Sequence, residues 1–83
     1  MSVKPMVKIE VLGTGCAKCR RLVKNVEKAV ADLGIDAEII KVEDITAIMD
    51  RGVMLTPGLI VDGELKVSGR VADVNELKEI LQG

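Results

Sequence analysis

The chain has 83 residues, with 12 basic and 13 acidic side chains, a net charge of -1 and no histidine. That length suits one domain, 1–83, burying ~60–65% of the surface its unfolded chain exposes. Balanced charge and the absence of aromatic residues argue against nucleic acid as a partner, because single-stranded bases are held by stacking on aromatics.

An apolar fraction of 48%, all of it aliphatic or sulfur-bearing, predicts a folded chain with a Val, Ile, Leu, Ala and Met core. The opening MSVKPMVKIEVLG is interrupted by Lys and Glu, so it does not read as a signal peptide. No run approaches ~18 apolar residues, so no membrane partner is expected and the expected compartment is cytoplasmic. A purely structural disulfide is improbable there. A monomer is expected.

MVKIEVL, residues 6–12, alternates. Val7, Ile9 and Val11 share one face and Lys8 and Glu10 the other, which predicts a strand. Gly13-Thr14-Gly15 ends it. From Ala17 the period lengthens: Leu22, Val23, Val26, Ala29, Val30 and Leu33 form a helical stripe, closed by Gly34. Ile35 to Val42 reads as a second strand. Ile45, Ile48 and Met49 mark a short helix that Glu43 or Asp44 starts and Gly52 ends.

Leu59-Ile60-Val61, the turn Asp62-Gly63 and Glu64 to Ser68 predict a tight hairpin. Asp73 and Glu76 have capping-box spacing before a last helix with Val74, Leu77, Ile80 and Leu81 on its buried stripe. The order βαβαββα predicts an α/β fold, a four-stranded mixed sheet with helices on both faces.

The two cysteines lie in GTGCAKCRRL, residues 13–22. Cys16 falls at the start of the first helix, where unpaired N–H groups and the helix dipole favour a thiolate. Cys19 lies one turn on, near enough to attack a mixed disulfide formed at Cys16. Lys18 and Arg20 add thiolate-stabilising positive charge, and Arg21 reads as a solvated position. A closed structural zinc site wants four ligands, and a chain with two thiols and no imidazole does not supply them. No resident metal is expected. A soft two-coordinate ion such as Cu(I) is the alternative use of the pair.

GTGCAKC is somewhat similar to the loop of the heavy-metal-associated domain, a soft-metal carrier. That family has Met two residues before its first cysteine, where this chain has Thr14, and it ends on a strand. The back half, MLTPGLIVDGELKVSG, resembles thioredoxins and glutaredoxins instead. Nearly the whole chain resembles the thioredoxin-like superfamily, closest to its small, glutaredoxin-sized "redox-active disulfide" members.

The resemblance implies a thioredoxin-like fold and a thiol–disulfide oxidoreductase. Cys16 and Cys19 would be the catalytic pair, with their disulfide as the redox group and no bound cofactor. It implies a cis Pro57 beside the cysteines, with Thr56 and Pro57 docking an extended substrate. It offers Glu10, six positions before Cys16, as the proton acceptor. Otherwise Glu10 is a strand residue reaching solvent or pairing with Lys8 or Lys41. Disulfide-bearing proteins, and a reductase or small thiol, are the implied partners. Met49 and Met54 are more often core than docking surface at their spacing.

The chain departs from both families. Gly15 replaces the thioredoxin Trp, and Ala17-Lys18 replaces Gly-Pro. Ser68-Gly69-Arg70 stands where glutaredoxins hold glutathione, and Asp73 reads as a helix cap.

Overall fold

A computed structural model describes residues 7–15 and 17–82. The elements are β1 (Val7–Leu12), α1 (Ala17–Leu33), β2 (Ala37–Val42), α2 (Ile45–Asp50), β3 (Gly58–Val61), β4 (Glu64–Ser68) and α3 (Val74–Gln82). This is the predicted βαβαββα order. β2 starts at Ala37 rather than Ile35 and β3 at Gly58 rather than Leu59, and Met6 of the expected first strand lies outside the described residues. The sheet runs β2-β1-β3-β4. β1 is parallel to β2 and antiparallel to β3, and β3 is antiparallel to β4.

Strand parity sorts the core. Ile9 and Val11 of β1 and Leu59 and Val61 of β3 face Leu22, Val23, Val26 and Ala29 of α1 and Leu77 of α3. Leu12, Val42 and Ile60 point to the other face and meet Ile48 of α2 and Val53. β3 is covered on both sides, which explains why it reads as an unbroken apolar run.

The predicted hairpin turn is present. Asp62 and Gly63 both take positive φ, 50° and 86°, as a two-residue turn of this hand requires. Asp62 also fastens the turn to β1. Its Oδ1 accepts from the Lys8 N–H at 2.9 Å, and its own N–H donates to the Lys8 carbonyl at 2.8 Å.

The starts of α2 and α3 are capped, with one correction. Asp44 caps α2 through the Thr46 N–H. Asp73 caps α3, accepting from the Glu76 N–H at 2.8 Å. Glu76 does not complete the predicted capping box. Its carboxylate is held by both terminal nitrogens of Arg70, at 2.6 and 2.5 Å. A bidentate charged pair outcompetes one bond to a backbone N–H. That hydrogen bond with Arg70 lowers the Glu76 pKa, and the same bond raises that of Arg70. Lys78 of α3 bonds Asp32 of α1 at 3.1 Å and lowers the Asp32 pKa, tying the two helices at their surface.

Candidate functional site

The ends of β1 and β3 and the start of α1 converge on Gly13. A Cβ built there would lie 2.2 Å from the Cys19 Sγ and 3.9 Å from the Pro57 Cα. No side chain fits in that space, so Gly13 does more than break the strand. Its parity, two residues after Val11, aims the missing Cβ at α1, where Cys19 is carried. Cys19 is buried, 5% exposed, in the first turn of α1. Pro57 is fully buried and the Thr56–Pro57 peptide is cis, while Thr56 is exposed. The predicted residues Cys19, Thr56 and Pro57 are thus brought together. Cys16 lies outside the described residues.

The cationic residues divide. Arg20 donates from Nη1 to the Gly15 carbonyl at 3.1 Å, so it fastens the loop directly before Cys16. Lys18 is exposed on the same turn.

Glu10 is placed elsewhere. It alternates with Ile9 and Val11, so it faces α2 while Cys19 sits on the α1 side. It is 8% exposed, and its Oε1 accepts from the Arg51 Nε at 2.9 Å. Arg51 follows α2 and also donates to the Ala47 carbonyl, which ends that helix. Neither Lys8 nor Lys41 is the ion-pair partner, nor does the carboxylate reach open solvent. Glu10 and Arg51 are 41 residues apart in sequence, and strand spacing gave no sign of the pairing.

Beside Cys19 lies a groove of about 310 Å³. Val11 and Gly13 of the β1 side, Lys41 of β2, and Gly15 and Glu43 of the adjoining loops line it with Cys19. The Glu43 carboxylate reaches toward the motif: its Oε2 would be 3.6 Å from a Cβ on Gly15. Sequence reasoning used Glu43 only as a helix starter. Its position two residues after Lys41 was the available signal: equal strand parity puts both on the α1 side, and β2, parallel to β1, ends at the same sheet edge as the strand before the CxxC loop.

On the other side of the motif, the chain before Pro57 is apolar and open. Met54 is 92% exposed, Leu55 63% and Met49 68%. The core reading of the two methionines is therefore corrected. α2 spans only six residues and buries Ile48 alone, so its neighbours in the stripe have no surface to cover. Leu55 is seated on Gly69, where a Cβ would come within 3.0 Å of it.

A βαβ unit followed by a hairpin and a helix, with a cysteine in the first helical turn beside a cis proline, defines a thioredoxin-type oxidoreductase. The thioredoxin domain family model matches residues 7–82, and this chain belongs to that family of thiol–disulfide oxidoreductases. It is similar to a thioredoxin of Methanothermobacter thermautotrophicus, 53% identical over 76 residues, covering 92% of this chain and 99% of the relative. A thioredoxin of Methanocaldococcus jannaschii is 46% identical over 80 residues, covering 96% and 92%. In fold it is similar to thioredoxin-2 of a malaria parasite, described as a component of protein secretion machinery. The TM-score is 0.73 at 15% identity, over 98% of this chain and 85% of that one.

Proposed function

We propose that the chain exchanges a Cys16–Cys19 dithiol with the disulfides of partner proteins. The Cys16 thiolate attacks a partner sulfur, forming a mixed disulfide and releasing the partner's other sulfur as a thiolate. Cys19 then loses its proton and attacks the Cys16 sulfur. A Cys16–Cys19 disulfide forms and the partner leaves fully reduced. Two electrons have moved from this chain to the partner. A reductase or small thiol restores the dithiol, and no bound cofactor takes part.

The observation that carries this reading is the seat of Cys19. Its sulfur is pressed on Gly13, with Pro57 bordering the same glycine, so an incoming disulfide would meet the second thiol and the Thr56–Pro57 segment together. Thr56 and Pro57 form the floor of the docking site, and exposed Met54 and Leu55 extend it. Arg20 holds the loop before Cys16, and Lys18 and Arg20 place positive charge near the thiolate. Among the described residues no helix is long and apolar enough to cross a membrane. The work proposed is cytoplasmic, where thiols are kept in exchange.

A redox titration read by mass tests the reading. Metal-free protein is equilibrated with dithiol buffers, free thiols are alkylated, and labels are counted. A two-electron transition between about −300 and about −180 mV is expected, the range of thioredoxin-like and glutaredoxin-like exchangers. If no intramolecular disulfide forms at any potential, the exchange reading is wrong and Cu(I) binding becomes the next measurement. Replacing Cys19 with serine should leave a mixed disulfide trapped at Cys16.

A further inference from the structure

We propose that Glu43 accepts the proton of Cys19 in the resolving step. The inference rests on the exchange reading above and assigns a residue to a step that reading leaves without one. A thiol attacks only as its thiolate, so the Cys19 proton needs a destination. Cys19 and Glu43 line the same groove, and the Glu43 carboxylate reaches to Gly15, the residue immediately before Cys16. That carboxylate makes no hydrogen bond or ion pair among the described residues. The groove, about 310 Å³, is large enough for water, through which a proton can be relayed between groups that line it.

The other carboxylates are worse placed. Glu10 is on the opposite face of the sheet, bound to Arg51. Glu27 also lines the groove, but it follows Cys19 by eight residues on α1, ~12 Å along the axis at 1.5 Å per residue. Asp44 is occupied in capping α2. The charges facing Glu43 are Arg20, Lys24 and Glu27 from α1 and Lys41 from β2, while β1 presents Val11. Three cations against two carboxylates make a nearly balanced lining, which suits proton movement better than capture of an anionic ligand.

The step balances. The Cys19 Sγ–H proton passes to the Glu43 carboxylate. The Cys19 sulfur forms a bond to the Cys16 sulfur, and the bond from Cys16 to the partner breaks. The partner leaves as a thiolate, and Glu43 returns its proton to that thiolate or to solvent.

Reduced full-length protein mixed with dithiobis-nitrobenzoate in a stopped flow separates the two steps. Attack by Cys16 releases the first coloured thiolate and resolution by Cys19 the second. Both phases are followed across the neutral and alkaline range. Glu43→Gln should slow the second phase at least ~10-fold at neutral pH, below the ~10²–10⁴ of a general base in a tighter site. The deficit should shrink as pH rises, the first phase should change by less than about twofold, and Glu43→Asp should recover part of the loss. An unchanged second phase in Glu43→Gln overturns the assignment. So does a second phase slowed by Glu10→Gln alone. If the wild type releases no second thiolate, the dithiol reading itself fails, and this proposal with it.

Discussion

The two faces of the sheet are built differently. On one, a 17-residue α1 and a nine-residue α3 pack over the larger core cluster. Ile9, Leu22, Val26, Ala29, Leu59 and Leu77 there have no exposed surface. On the other, a six-residue α2 covers a smaller cluster, admits the Glu10–Arg51 ion pair, and leaves Ile45, Met49, Met54 and Leu55 open. The first face supplies stability. The second leaves apolar surface beside Pro57, where a partner can be met. Helix length decides which is which, because a helix of less than two turns has no second row of side chains to bury.

The largest effect expected is in the thicker face. Leu22→Ala should cost ~3–5 kcal/mol, and Ile48→Ala in the thinner face only about 2, since a site near solvent collapses more easily. Urea denaturation of both variants measures the gap, and equal costs would mean that the two faces are equally well packed.

Gly13→Ala comes next. Its methyl would overlap the Cys19 sulfur, so a loss of about 1–3 kcal/mol is expected, together with a changed Cys19 alkylation rate. A variant as stable as the wild type, with unchanged alkylation, would show that α1 moves aside freely.

Met54→Ser should leave stability within about 0.5 kcal/mol, because so exposed a side chain has little burial to lose. It should slow exchange with a protein disulfide more than with a small aromatic one. Equal slowing, or none, would remove Met54 from the docking surface.

The smallest effect is electrostatic. The folded-state pKa values of Glu76 and Asp32 lie below their ordinary values, through Arg70 and Lys78. The unfolded chain therefore takes up protons first as the solution is acidified. The stability these pairs contribute is present above the ordinary carboxylate range, ~4, and is lost as pH falls through the lowered values. Both pairs are solvent-exposed, so the change should be slight and should fade in high salt. Thermal melts of wild type and Arg70→Ala across that window measure it. Parallel curves would mean that the Glu76 pair contributes nothing.

Much of this was legible in the residues. Strand alternation in MVKIEVL, the helical stripe from Leu22 to Leu33, the Asp62-Gly63 turn and the Asp73 cap act through near neighbours. Local chain geometry is enough to decide them, so the element order, the fold and the cysteine motif follow from sequence. Tertiary structure decided what depends on distant partners. It gave Glu10 to Arg51, 41 residues on, because charged groups pair with whichever opposite charge the packed chain brings nearest. It set Gly13 under Cys19 and left Met49 and Met54 outside the core. It also carried Glu43, an ordinary residue at a strand end, to the groove that Cys19 shares. A side chain's type sets the chemistry it can do, and only the assembled sheet and helices set what stands within its reach.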